Sequence, residues 1–126
     1  MARAMHASDM PVPFKASLPD REWFWRTHDG EKLRPSEMKT SHLFYTLRMI
    51  WNHRMPEEMQ VGRNVRRWIL TQPREYLAEA IIRIGRELSS RNDLPSWMRR
   101  ELEEMASHFQ RRPLVISGVK SLEGQS

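Results

Sequence analysis

A chain of 126 residues with 39% hydrophobic content suits one domain with a real core. It holds no cysteine, which excludes a disulfide framework and thiolate metal sites and accords with a reducing cytoplasm; no apolar run reaches membrane-spanning length, and MARAMHASDMPVPF lacks the apolar centre of a signal peptide. The formal charge of +5 comes from 21 basic and 16 acidic residues, and removing Lys15, Lys32, Lys39 and Lys120 from the basic set leaves 17 arginines, whose planar forks suit phosphate, although codon usage in a GC-rich genome explains the bias as readily.

Residues 1–22 carry Pro11, Pro13 and Pro19 among small and polar residues and read as a flexible N-terminal arm, with Phe14 and Leu18 as points where it can dock. A loose terminus and an arm wrapped around a neighbouring subunit both fit. The globular domain is expected over 23–114, with a flexible tail at 115–126.

The centre of the chain is the stretch from Trp23 to Arg54. Asp29-Gly30 marks a tight turn, because glycine tolerates the positive φ that such loops need. A three-residue loop, His28-Asp29-Gly30, sets Trp25 across from Leu33 and Thr27 across from Glu31, keeping the apolar residues together with Trp23 on the same face. A two-residue loop would separate Trp25 from Leu33. After Pro35 the period changes to 3.6: Leu43, Phe44, Leu47, Ile50 and Trp51 make one broad apolar face and predict a helix over 41–54, capped by Thr40 or Ser41, with Met38 packing back as a staple. Trp23, Trp25, Leu33, His42, Leu43, Leu47 and Trp51 form the expected core, with His42 hydrogen-bonded to the hairpin.

In 57–70, Met59, Val65, Trp68 and Ile69 offer an apolar stripe, while Arg63, Arg66 and Arg67 share another face at helical spacing; Gly62 weakens the helix locally. From Arg48 to Arg74 there are six arginines (48, 54, 63, 66, 67 and 74) against Glu57 and Glu58, and no acid lies between Glu58 and Glu75. The next helix starts at Pro73 and carries Leu77, Ala80, Ile81, Ile84 and Leu88 on its core face, with Glu79, Arg83, Glu87 and Arg91 bracing its solvent side and Gly85 allowing a close helix approach. Asp93 is the expected cap of a last helix running to about Gln110 on Met98, Leu102, Met105 and Phe109, with Trp97 adding bulk at its start. Leu114 to Ile116 is compatible with a short strand. The fold expected is mainly α, a small N-terminal β-hairpin packed on three or four helices, with that C-terminal strand added.

The pattern W-x-T-x-D-G followed by M-x-x-x-H-L, here Trp25, Thr27, Asp29, Gly30, Met38, His42 and Leu43, resembles a group of small bacteriophage and prophage proteins, most of them uncharacterised. The similarity covers residues 23–51 and, loosely, 94–110, where LPSWMRRELEEM is alike in kind. It brings no catalytic residue with it. It implies a small accessory protein, acting in the cytoplasm of a host cell, that modulates or blocks a host function such as a defence pathway.

No chemistry is fixed by the motifs. His42 and His53 lie eleven residues apart, about three turns, too far to share one ion. His53 with Asn52, Glu57 and Glu58 sketches a metal-dependent nuclease but lacks a convergent ligand frame. Phosphate-loop and dinucleotide fingerprints are absent. No metal or cofactor is therefore expected. The candidate site is an anion- or nucleotide-binding patch of Arg63, Arg66 and Arg67 with Arg48, Arg54 and Arg74, and with Tyr45 and Trp68 for base stacking. The expected partner is a nucleotide, a nucleic acid or a host nucleoprotein complex, met without a membrane and by a self-associating protein. A nucleic-acid-binding regulator is the second expectation.

Overall fold

A computed structural model of the chain describes residues 14–62 and 70–111. Arg63, Arg66, Arg67 and Trp68 of the candidate patch, the strand expected at Leu114 to Ile116 and the tail at 115–126 lie outside the described residues. The fold is mainly helical, with an antiparallel hairpin preceding three α-helices among the described residues.

The hairpin pairs β1 (Trp25–Arg26) with β2 (Lys32–Leu33), Trp25 opposite Leu33 and Arg26 opposite Lys32. Its loop is the three-residue one: Thr27 N–H donates to Glu31 O at 2.8 Å, Gly30 N–H donates to Thr27 O at 2.9 Å, and Gly30 takes φ 89°. Keeping Trp25 and Leu33 on one face decides the register, since a slip of one residue would send one of them to solvent. Trp23 and Trp25 then clasp the ring of Tyr76, with centroids at 5.2 and 5.9 Å. This stack fastens the hairpin to a helix fifty residues away.

A 3₁₀ turn at Pro35–Glu37 leads into α1 (Thr40–Arg54), followed by α2 (Arg74–Ser89) and α3 (Ser96–Arg111). The apolar face of α1 packs chiefly on α2. Leu43, Phe44, Leu47, Ile50 and Trp51 are fully buried, as are Ile81, Ile84 and Leu88 opposite them, and Met105 and Phe109 of α3 close the core. The chain turns back at the end of α1 through a second 3₁₀ turn, Glu57–Met59. Here Trp51 Nε1 donates to Met59 O at 2.8 Å, and the Asn52 amide both donates to Val61 O and accepts from Val61 N–H at 2.9 Å. Asn52 thus completes a buried backbone as a neighbouring strand would.

Several expectations are corrected. His42 is exposed on the first turn of α1 and belongs to no core cluster, because the apolar stripe starts one residue later. Thr40 is the first helical residue and Lys39 the cap position; the Thr40 hydroxyl instead donates to Asp93, which was expected to cap α3, at 2.8 Å. The segment 57–62 is a 3₁₀ turn and extended chain ending in Gly62 at φ 88°, not the start of an α-helix.

Phe14 and Leu18, the two points at which the N-terminal segment was expected to be able to dock, both pack on the core, and the largest correction concerns the charged face of α2. Phe14 is fully buried, against Phe109 at 5.5 Å, and a Cβ on Gly85 would meet its ring at 2.5 Å; Gly85 makes room for this ring rather than for a helix. Glu79, expected on the solvent side, is 4% exposed and accepts from Arg21 at 2.6 Å and from Arg83 at 2.7 Å. Arg83 also donates to Pro19 O, and Arg86 donates to Phe14 O and Ala16 O. Arg91 reaches across to Met38 O and Pro35 O. The polar side of α2 therefore holds the N-terminal segment and the entry to α1 in place.

Candidate anion-binding surface

Three of the six patch arginines lie in the described residues, and α1 separates them. Arg48 sits in the middle of α1. Its guanidinium pairs with Glu101 of α3 at 2.9 Å and lies over the rings of Tyr45 and Phe44, 5.2 and 5.6 Å from their centroids. A paired and stacked arginine is poorly placed to neutralise a further phosphate, and its guanidinium covers one face of the aromatic rings beside it.

Those rings form a shelf. Tyr45 is 47% exposed and Trp97 38%, the two large hydrophobic side chains most exposed among the described residues, with centroids 6.3 Å apart. Both meet the buried ring of Phe44 edge-on, at 5.5 Å. The two exposed rings are tilted by 46° to each other, so each offers its own face, and their anchoring on a third ring lowers the conformational entropy lost when a flat group stacks on either one. Trp97 was not marked as a site residue in the sequence. The signal was present: it lies one position off the Met98, Leu102, Met105, Phe109 stripe and so turns about 100° away from the core.

Gly62 comes back against this shelf, since a Cβ there would meet Arg48 Nη1 at 2.6 Å. The basic sequence Arg63-Asn64-Val65-Arg66-Arg67 follows directly.

The other end of that stretch leads to Arg74, the first residue of α2, and there lies Arg54 from the last turn of α1. Arg54 Nη1 donates to Arg74 O at 3.3 Å, and Arg54 Nε is buried with no hydrogen-bond partner among the described residues. Burial first, and then the charge of Arg74, pull the Arg54 guanidinium below its usual value. Neither cation has a carboxylate partner among the described ion pairs, and no acid lies between Glu58 and exposed Glu75 to supply one from the chain nearby. The Arg54 guanidinium thus rests on the backbone at the start of α2, close enough to the charge of Arg74 for that charge to disfavour its own.

More positive charge adjoins the same corner. Tyr76 in the first turn of α2 donates its hydroxyl to Phe24 O at 2.6 Å and accepts Arg26 N–H at 2.8 Å. It thereby brings up the hairpin edge on which Arg26 and Lys32 stand directly opposite one another, an arrangement unfavourable on its own. A cleft of about 270 Å³ opens there, lined by Arg21, Arg26 and Lys32 with Glu22 as its acid, and by Trp23, Phe24 and Tyr76. The α2 N-terminus has no side-chain cap, and Glu75 in its first turn offsets part of the positive end of its macrodipole. Arg26 and Lys32 were not named from the sequence, although the three-residue loop already implied their pairing.

Shelf and corner are distinct places. Tyr45 and Arg54 are nine residues apart on α1, which puts them about 13 Å apart along the axis and half a turn around it. Both ends of the Asn52 amide are committed to Val61, and among the described residues no group of three His, Asp or Glu is placed to hold a metal ion. No helix among them is long and apolar enough to cross a membrane. Comparison with protein-family models, curated proteins and solved structures matches this chain to none of them.

Proposed function

We propose that this chain is a non-catalytic, phage-type accessory protein that blocks a host pathway by binding, and that what it engages is the nucleic acid of a host nucleoprotein complex rather than a free nucleotide. The observation that carries the choice is the separation of the aromatic shelf from the Arg54–Arg74 corner. A mononucleotide cannot lie on Tyr45 and Trp97 and also reach a corner about 13 Å along α1 and on its far side. A single strand can, with a base on one of the shelf rings and phosphates reaching Arg54 and Arg74. The phage context comes from the resemblance over residues 23–51. Sequestration of a small nucleotide would need only one of the two places.

Native mass spectrometry of protein purified from cells with an active host defence tests this directly. The expected result is a retained oligonucleotide, lost in the Arg54→Ala/Arg74→Ala double variant. Retention of a mononucleotide would favour sequestration. Protein free of any nucleic acid, with a host protein bound instead, would refute the reading.

A further inference from the structure

We propose that the cleft at the hairpin edge recognises the end of the bound strand, taking a terminal phosphate monoester between Arg26 and Lys32, an inference that rests on the single-strand reading. The hairpin register makes the site. Thr27 N–H donates to Glu31 O, while Arg26 N–H is turned outward onto the Tyr76 hydroxyl. Arg26 and Lys32 are therefore the non-hydrogen-bonded kind of cross-strand pair, in which facing Cα atoms approach to about 4.5 Å and the side chains lie closest. Strand alternation puts both of them, with Phe24, on the face away from Trp25 and Leu33. The backbone edge of β1 is already taken: the Tyr76 hydroxyl donates to Phe24 O at 2.6 Å, and Gln72 Nε2 to Arg26 O at 3.5 Å. That edge is closed to an added peptide strand, and side-chain charge is what the cleft offers a ligand.

Charge selects the ligand. The cleft presents Arg21, Arg26 and Lys32 with one acid, Glu22. Arg21 is held by buried Glu79 at 2.6 Å and Glu22 by Arg34 at 2.7 Å, so those two charges are matched. Arg26 and Lys32 have no carboxylate partner among the described residues. Glu31, next to Lys32 in the chain, falls on the Leu33 side by alternation. Like charges directly opposed across a ladder weaken a hairpin, and an anion between them reverses that effect. A phosphate monoester carries a charge of about −1.5 to −2 at neutral pH and three acceptor oxygens, which match both cations together. An internal phosphodiester, with a single charge, would leave one of them unmatched. The volume of about 270 Å³ lies below the usual ligand-pocket range, which begins at about 300 Å³, and so suits a terminal group rather than a whole ligand. Its place is also fitting. Tyr76 lies two residues beyond Arg74 in the first turn of α2, about 3 Å along the axis, so the cleft continues the path past Arg54 and Arg74.

The test titrates three otherwise identical single strands, one with a 5′-phosphate, one with a 3′-phosphate and one with hydroxyls at both ends. Each is measured with the full chain and with its Arg26→Gln/Lys32→Gln variant, which keeps both side-chain stems. One phosphorylated strand should bind about tenfold tighter than the hydroxyl strand, and the variant should erase that difference. Methylation of the terminal phosphate to a diester should remove most of the gain. Equal wild-type affinity for all three strands would overturn end recognition and leave the single-strand reading standing. A gain that survives in the variant would overturn the assigned residues. Failure of every strand to bind would refute the single-strand reading instead, and thymidine 5′- and 3′-monophosphates compared with thymidine would then decide the cleft. A monophosphate preference lost in the variant supports it, and no preference overturns it. A glutamate decapeptide that binds as tightly as the preferred strand, and loses as much in the variant, would replace the nucleic-acid end with an acidic protein partner.

Discussion

Phe14 and Gly85 show how far one side chain's absence can reach. Phe14 adopts φ 54°, a left-handed backbone rarely taken by a bulky residue, and keeps it because its ring fills the space over Gly85. Glycine inside a helix normally costs about 1 kcal/mol relative to alanine, so Gly85→Ala would stabilise an open site. Here it should destabilise by about 1–3 kcal/mol in urea unfolding, through overpacking. A gain in stability would show that Phe14 does not sit there. Tyr76 gives a second residue-scale test. Burial raises its phenol above the ordinary 10.0, outweighing the Arg26 N–H bond that lowers it. A group raised in the folded state supplies stability that is complete below the unfolded value and lost as pH climbs through the folded one. The urea midpoint should therefore decline above pH 10, and Tyr76→Phe should start about 1 kcal/mol lower and decline less.

At the level of elements, side-chain periodicity was enough to place the hairpin register and the cores of α1, α2 and α3. Trp25 had to face Leu33, and Leu43, Leu47 and Ile50 had to share a helix face. What periodicity does not contain is the destination of a polar group. Glu79 and Arg83 read as a solvent-side pair because their spacing fits one; only the fold shows that residues 14–21 cover them. His42 was misplaced for a related reason, since its neighbour Leu43 carries the stripe and His42 falls outside it. Asn52 gave no periodic signal for its role either. Asn52→Ala should leave the Val61 N–H and C=O buried without partners and cost about 2–3 kcal/mol, with hydrogen-exchange protection lost first at Val61. Glu79→Gln should cost about 2 kcal/mol, less than for a fully buried pair because Arg21 is half exposed.

Over the whole molecule, most of the described arginines hold the fold together. Arg21, Arg34, Arg48, Arg83 and Arg91 pair with carboxylates, and Arg86 and Arg99 donate to backbone carbonyls. Arg54 likewise donates to a backbone carbonyl, that of Arg74, and neither of these two has a carboxylate partner in the described pairs. Spacing grouped Arg48 with Arg54 and Arg74 but could not show that Arg48 is paired with Glu101, nor that Arg48 and Arg54 stand at different places along α1.

The central claim is that shelf and corner serve one single-stranded ligand, and the most direct measurement is oligonucleotide affinity against salt. A fluorescent ten-nucleotide single strand would be titrated with the wild type, with Tyr45→Ala/Trp97→Ala and with Arg54→Ala/Arg74→Ala. Each phosphate contact contributes about 0.7 to the slope of log affinity against log salt, so the arginine variant should lose about 1.4 of slope. The aromatic variant should lose about 1–3 kcal/mol per stacked base with its slope unchanged. Equal affinity of the wild type for the strand and for a mononucleotide, or an arginine variant with the wild-type slope, would contradict the account.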